Sequence, residues 1–330
     1  MKVGVVGAGG LGRHHIRIFR DVPGAELVGF HDVDENRARQ VSGELGVRAL
    51  PSLDSLVEAA EALTIVVPTP AHFAVAKQAL ERGRHLLIEK PITATLAEAD
   101  ELLAIAHRTG AIVQTGHVER FNRAIRAALP YVEEPRFIES DRLAPFNPRG
   151  ADVAVVLDLM IHDIDLVRTL VGARATSIHA VGVPILTPNI DIANARLTFA
   201  SGAVANITAS RVSRERMRKV RIFQHSGYLS LDLAAGNGEF YRLRRDLDLA
   251  ALAQGALGVD DFVERVALEA PEGEPLRLEF ESFIRAVQGE ADVPVTGEDG
   301  REALAVALEI VAEIERSVQA AAMAVASQRA

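Results

Sequence analysis

The stretch "VGVVGAGGLGRHH" (residues 3–15) decides how the rest of the chain is read. An apolar run ending at Val6 meets Gly7-x-Gly9-x-x-Gly12, and a segment of helical pattern follows. The spacing predicts a strand, a tight turn and a helix. Gly7 permits the turn, Gly9 lets backbone approach a diphosphate, and Gly12 allows close helix–strand packing. Gly10 and Leu11 fall in the first helical turn, where unpaired N–H groups and the helix dipole favour an anion. Asp32 lies twenty residues beyond Gly12, at the end of the next apolar run. There it would accept hydrogen bonds from both adenine-ribose hydroxyls and repel a 2′-phosphate. The pattern implies NAD, with NADP less favoured, while the nearby Arg37 leaves the phosphorylated cofactor open.

Outward from this turn, short apolar runs alternate with helical patterns. Strands are predicted at 2–7, 26–32, 63–68, 85–90 and 112–116, with helices near 11–21, 34–45, 52–60, 71–82 and 95–109. Thr95 and Glu98 have capping-box spacing, and Gly46, Gly83 and Gly110 stand where helices would stop. Strands that are apolar throughout and alternate with helices indicate a parallel sheet covered on both faces. The fold class is therefore α/β, an N-terminal Rossmann-type doubly wound parallel sheet over residues 1–118. From 175 to 243 the chain reads as successive strands joined at Ser201-Gly202, Ser226-Gly227 and Gly236-Asn237-Gly238, the turns of antiparallel neighbours. Residues 119–330 are accordingly expected to form an α+β domain built on a large, mostly antiparallel open sheet. Helices return at 279–288 and 298–326, the latter capped by Thr296, and packing of this last helix back on the first domain is left open. No expectation is made for 244–275.

Composition narrows the function classes. The chain has 330 residues, enough for two domains, with a net charge of −9 and no cysteine. That charge argues against a nucleic-acid or anionic-membrane partner, although a local basic pocket is compatible with it. The densest basic stretch, "SRVSRERMRKVR" (210–221), reads as a strand pair with a solvated face. Without cysteine there are no disulfides, thiolate chemistry or Cys-ligated zinc, which fits a reducing, cytoplasmic setting. No apolar run approaches the length of a membrane span.

The segment "VVLDLMIHDID" (155–165) is apolar enough to be buried, yet it carries Asp158, His162, Asp163 and Asp165. Buried carboxylates are costly unless paired. Positions i and i+4 share a helix face, so Asp158 and His162 would project together, Asp163 would point elsewhere as a structural residue, and Asp165 would lie near the first stripe. With "VVPTPAHFAVAKQALERGRHLLIEKP" (66–91) and "FESFIRAVQGEADVPVTGEDGREALAVALEI" (280–310), the chain resembles the Gfo/Idh/MocA family of sugar and cyclitol oxidoreductases along most of its length.

The resemblance implies catalytic roles for Lys90 of the Glu-Lys-Pro motif and for Asp158 and His162. It also adds Pro68, Thr69, His72, Glu89 and Lys90 to the glycines and Asp32 as cofactor-binding residues. Hydride leaves a carbinol carbon only as the hydroxyl proton is removed, so a base is required. His162 suits that role, Lys90 would stabilise alkoxide charge, and which of the two takes the proton stays open here. Asp158 would bind substrate hydroxyls or orient His162.

For substrate, "GHVERFNRAI" (116–125) supplies His117, Arg120 and Asn122, and "DRLAPFNPRGADV" (141–153) supplies Arg142 and Arg149. Converging arginines suit a phosphate or carboxylate. Arg120 and Arg142 equally suit salt bridges with Glu119, Glu139 or Asp141, and Asp165 is open between the two roles. "GHVERFN", "RLAPFNPRG" and the Asp/His segment together resemble the branch of the family that contains enzymes oxidising UDP-N-acetylglucosamine at C3, some of which supply 3-amino sugars for lipid A; that resemblance implies a ketone product consumed by an aminotransferase. Alternatives are an inositol or simple sugar dehydrogenase of the same family, or a non-catalytic NAD-binding sugar sensor. No metal site is expected, since neither His14-His15 nor His162-Asp163 has further ligands at metal spacing. An open sheet with one bare face implies homo-oligomerisation, and the resemblance implies a homodimer or homotetramer.

Overall fold

The computed structural model describes residues 1–148, 150–244 and 262–329, with side chains as far as residue 318. Arg149, an expected substrate contact, lies outside the described residues, as does much of the stretch left without an expectation. The strands are β1 (Lys2–Val6), β2 (Glu26–His31), β3 (Ala62–Ile65), β4 (His85–Glu89), β5 (Val113–Gly116), β6 (Phe137–Leu143), β7 (Ala175–Val183), β8 (Ile192–Phe199), β9 (Val204–Ser210), β10 (Met217–Gln224), β11 (Gly227–Asp232), β12 (Asn237–Leu243) and β13 (Val263–Ala267). The helices are α1 (Gly10–Phe19), α2 (Glu35–Leu45), α3 (Leu53–Ala59), α4 (His72–Leu80), α5 (Leu96–Thr109), α6 (Arg123–Ala128), α7 (Ile161–Val171), α8 (Pro275–Val287) and α9 (Gly297–Arg329). Among the described residues no helix is long and apolar enough to cross a membrane.

Two compact units result, Met1–Val118 with Gly273–Ala305, and Glu119–Glu272 with Val306–Ala330. In the first, β1–β5 form an all-parallel sheet in the order β2-β1-β3-β4-β5. β3 is buried along its whole length, as strands covered on both faces must be. Local chemistry sets the helix ends. Thr95 and Glu98 close the expected capping box on α5, and Gly46 and Gly110 take the left-handed conformation behind α2 and α5. α8 begins at Pro275, ahead of the expected start, because proline needs no hydrogen-bond acceptor at the first helical position. Its Phe280, Phe283 and Ile284 join the same core as Val3, Val5 and Phe19, with Phe280 stacked on Phe19 at 4.1 Å between ring centroids.

The second unit carries an eight-stranded sheet in the order β13-β12-β11-β10-β6-β9-β8-β7. Among the described strands of this sheet only β6 and β9 pair in parallel; the remaining neighbours are antiparallel. β13 extends the sheet with part of the stretch for which sequence made no prediction. Alternation along each strand divides the two faces. Ile138, Ser140, Arg142, Val220, Ile222, Leu229 and Leu231 are buried on the face that α6 and α7 cover. On the other face a half-buried aromatic row crosses β6, β10, β11 and β12. It runs Phe137–Phe223–Tyr228–Tyr241, with ring centroids 5.7, 5.4 and 4.8 Å apart.

Candidate active site

In the first unit the predicted cofactor residues converge because each follows a strand of one parallel sheet. Gly7 follows β1, Asp32 follows β2, Pro68 and Thr69 follow β3, and Lys90 follows β4. The carboxyl ends of an open parallel sheet, next to the strand where winding reverses, are where such folds bind ligands. Gly7 has φ +98°, and a Cβ there would sit 2.6 Å from the Val66 carbonyl. A Cβ on Gly12 would overlap the Gly7 carbonyl, whereas one on Gly9 meets nothing within 4 Å. Gly9 N-caps α1 with no side chain over the helix start, so the Gly10 and Leu11 end of the helix stands clear for an anion.

Asp32, nearly buried, accepts from the Ala8 N–H at 2.7 Å and the Asp34 N–H at 2.8 Å. Its carboxylate is thus fixed beside the glycine turn. Arg37, the residue that left NADP open, lies 3.3 Å from Asp32 and 3.1 Å from Asp34. Its charge is already matched by two carboxylates. Gly7, Gly9, Gly12 and Asp32 therefore fit a dinucleotide with an unphosphorylated ribose.

Lys90 is half-buried and stands on a built platform. The preceding Glu89 accepts from its backbone N–H at 3.3 Å and faces His15 Nε2 at 3.1 Å, while His15 Nδ1 faces Thr64 Oγ1 at 2.9 Å. Burial works against the Glu89 charge, but the His15 hydrogen bond, aided by His15, Lys90 and His72, holds the carboxyl below its usual range. His72 is 1% exposed, and both its ring nitrogens face carbonyls at 2.9 Å, those of Pro91 and Val67. Burial pushes its pKa down. His72 thus ties the Pro68 turn to the Lys90–Pro91 turn, and Glu89 serves as a support beneath Lys90.

In the second unit Asp158 lies in a single π-turn, Val156–Met160, that runs into α7. His162 follows in the first turn of α7, and π-turns of this kind recur at functional sites. Both are half-buried, between the fully buried Val156, Met160 and Ile161. The Asp158 carboxylate lies directly over Gly150, where a Cβ would come within 2.6 Å of it. Arg211, a residue that sequence placed on a solvated face, is 3% exposed. It donates to the carbonyls of Gly150 and Val153 at 2.7 Å each and so holds the segment entering the π-turn.

The expected substrate residues behave differently. Arg142 is buried and donates to Asp163 at 2.6 Å and Glu119 at 2.8 Å; Ser140 also donates to Asp163, at 2.9 Å. Burial opposes the Arg142 charge, yet Asp163 and Glu119 raise its pKa above the ordinary value. Arg120 donates to Asp165 at 2.8 Å. Asn122 caps α6 through its side-chain oxygen and donates to Glu119 and Leu233. Of the two roles that sequence left open, the ion pairs are therefore the ones found, with Asp163 and Asp165 as partners in place of Glu139 and Asp141. A buried guanidinium needs such carboxylates, and these contacts of Arg120, Asn122, Arg142 and Asp165 hold α6, α7 and β6 together. His117 directly follows β5 and is buried.

Sequence reasoning missed His15 and Arg211. His15 had a signal, a histidine three residues beyond the last motif glycine on an otherwise apolar helix face. Arg211 had none, because its partners lie about sixty residues away in the chain. Among the described residues no three His, Asp or Glu side chains stand together as a metal site.

Two family models match: "Oxidoreductase family, NAD-binding Rossmann fold" over residues 1–117 and "GFO/IDH/MocA C-terminal domain" over 129–230. The chain is 38% identical to a UDP-N-acetylglucosamine 3-dehydrogenase of Acidithiobacillus ferrooxidans, over 97% of this chain and 99% of that one. A solved structure of that enzyme superposes with a TM-score of 0.88 at 37% identity, covering 96% of this chain and 98% of that one. A scyllo-inositol 2-dehydrogenase (NAD(+)) of Bacillus subtilis is 31% identical over 64% of this chain and 68% of its own. The Bordetella pertussis WlbA dehydrogenase, solved with NADH and UDP-GlcNAcA, shares the fold with a TM-score of 0.76 at 18% identity, covering 96% of this chain and 97% of that one.

Proposed function

This chain belongs to the Gfo/Idh/MocA family of NAD-binding oxidoreductases, and from that premise we infer that it oxidises the C3 hydroxyl of UDP-N-acetylglucosamine to a ketone. One observation supports the choice of substrate: over nearly the full length of both chains, identity to the nucleotide-sugar dehydrogenase is 38%, against 26% to a myo-inositol 2-dehydrogenase of Thermotoga maritima. NAD, when bound, takes up the two electrons and hydrogen lost from the carbinol carbon. The remaining work falls to the chain. His162 accepts the hydroxyl proton as the C–O bond becomes a carbonyl, which requires a base within hydrogen-bond reach and a pKa near neutrality. Lys90 donates to the same oxygen and stabilises the negative charge that builds there. Asp158 holds His162 and neighbouring sugar hydroxyls in register.

The same reading gives the ketone to an aminotransferase, which would replace the carbonyl oxygen with an amine. It places the enzyme in the cytoplasm, where both substrates are found, and makes the sheet face bearing Phe137, Phe223, Tyr228 and Tyr241 a contact between copies of this chain, as a homodimer or homotetramer.

The test is incubation with UDP-N-acetylglucosamine and NAD in the presence of a carbonyl trap, read by mass spectrometry, with inositol, glucose and NADP in parallel. A trapped UDP-sugar derived from a species two hydrogens lighter than substrate is expected. Turnover of inositol alone would move the substrate to the polyol branch and leave the proton chemistry unchanged.

A further inference from the structure

The basic stretch 210–221 holds six Arg and Lys residues against one Glu, in a chain of net charge −9. The structure accounts for three of them. Arg211 is tied to Gly150 and Val153, Arg221 pairs with Glu139 at 3.2 Å on the aromatic face, and Lys219 alternates onto that same face. Arg214, Arg216 and Arg218 remain. Arg214 and Arg216 are exposed and meet no carboxylate among the described residues. Arg218 points to the helix-covered face, with its side chain 42% exposed, and its nearest carboxylate contact, to Glu119, is 3.5 Å. Arg142 already holds that same Glu119 oxygen at 2.8 Å.

Arg218 lies directly across from Arg142 in the β10–β6 register. Like charges opposite each other on neighbouring strands repel. Burial, and then the Arg142 charge, push the Arg218 pKa down against the opposing pull of Glu119 and Asp163. Its position in the fold gives that charge a use. β6 and β9 end, and β10 begins, at one end of the central strands, where Leu143 pairs with both Met217 and Ser210. The 211–216 connection meets the segment leaving β6 there, through Ser213 N–H to the Ala144 carbonyl at 3.1 Å and through Arg211 to Gly150. Gly150 in turn underlies the Asp158 carboxylate, and Asp163, which Arg142 holds, adjoins His162. The connection that carries Arg214 and Arg216 thus adjoins, within one unit, the segment that leads to the Asp158 turn.

We propose that Arg214, Arg216 and Arg218 form an anion subsite that binds the diphosphate of a nucleotide sugar and sets the enzyme's preference for such substrates over neutral polyols. The assignment rests on the substrate reading above and names the residues that would recognise its charged part. Guanidinium groups bind phosphate oxygens in paired hydrogen bonds, and an arriving dianion relieves the Arg142–Arg218 repulsion.

The experiment measures UDP binding to the NADH-loaded full-length enzyme by calorimetry, and KM for UDP-N-acetylglucosamine, in the native protein and in Arg214→Ala, Arg216→Ala and Arg218→Gln. Each substitution is expected to weaken UDP binding and raise KM by about ten- to a hundredfold, the range for one hydrogen bond to a charged group. Added salt should weaken UDP binding to the native enzyme and do so less in the variants. Should Arg218→Gln fail to fold, the two exposed positions carry the test. Native-like UDP affinity and KM in Arg214→Ala and Arg216→Ala, with UDP-N-acetylglucosamine still turned over, would overturn the subsite and leave the substrate reading standing. Absence of UDP binding and of nucleotide-sugar turnover in the native enzyme would overturn both.

Discussion

The two units differ in how they hold the charges around their candidate site residues. In the first, the Asp32 and Glu89 carboxylates are met by backbone N–H groups of Ala8, Asp34 and Lys90 and by the single imidazole of His15. In the second, Arg120, Arg142, Glu119, Asp163 and Asp165 are met by one another. A carboxylate held by backbone keeps its place when one neighbouring side chain changes, and part of its surface stays available to a ligand. A network of opposed side chains is rigid only while complete, since removing one member strands another in a low-dielectric interior. Buried charge in the first unit is therefore fixed largely by local backbone, and the Arg120–Asp165 and Arg142–Asp163–Glu119 pairs of the second by side chains from distant parts of the chain.

The largest expected effect tests the candidate site residues themselves. Lys90→Ala or His162→Ala should lower turnover by roughly 10²–10⁴-fold while NADH affinity, read by fluorescence titration, changes little. Near-native rates would remove these residues from the chemistry. Next, Arg142→Met leaves Asp163 and Glu119 unmatched and should cost about 3–5 kcal/mol in urea unfolding. A loss below ~1 kcal/mol would erase the contrast between the units.

A smaller effect concerns Asp191, buried and bonded by the N–H groups of Ile185, Leu186 and Thr187 and by the Thr187 hydroxyl. Burial opposes its charge, but these donors bring its pKa from 3.8 down to about 2. Its folded pKa is below its unfolded one, so the stabilisation is complete above about pH 4 and fades as pH falls toward 2, on the order of 2 kcal/mol in all. Asp191→Asn should flatten the acid limb of a stability–pH curve over that window, and an unchanged limb would show that other groups govern it. Smallest, Thr95→Ala removes the α5 cap from the backbone-rich unit and should cost about 1 kcal/mol in thermal unfolding without altering turnover.

The same division explains what could be read from the chain. The glycine turn, the capping box of Thr95 and the Gly110 stop are local, their physics spanning a few residues, so the first sheet and its glycine turn were legible. The expected strands of the second unit were found as well, because period-2 burial and Ser-Gly turns are local too. Which partner an arginine takes is not local. Arg142 finds Asp163 twenty-one residues away, and Arg211 reaches Gly150 across sixty-one. Spacing within a motif carries no record of either. α8 shows the same limit, since its helical pattern was plain while its place in the core of Val3 and Phe19 came only from packing.

Asp32 has a consequence for redesign. A common route to altered cofactor preference replaces the acid after the second strand with a small residue. Here that carboxylate also receives the N–H of Ala8, inside the glycine turn, and the N–H of Asp34, which caps α2. Removing it would strip acceptors from the turn that grips the diphosphate and from the entry to a helix, whichever cofactor was offered. A variant accepting the phosphorylated dinucleotide must therefore supply a replacement acceptor for Ala8 and free Arg37 from Asp34 at the same time, and no single substitution at Asp32 does both.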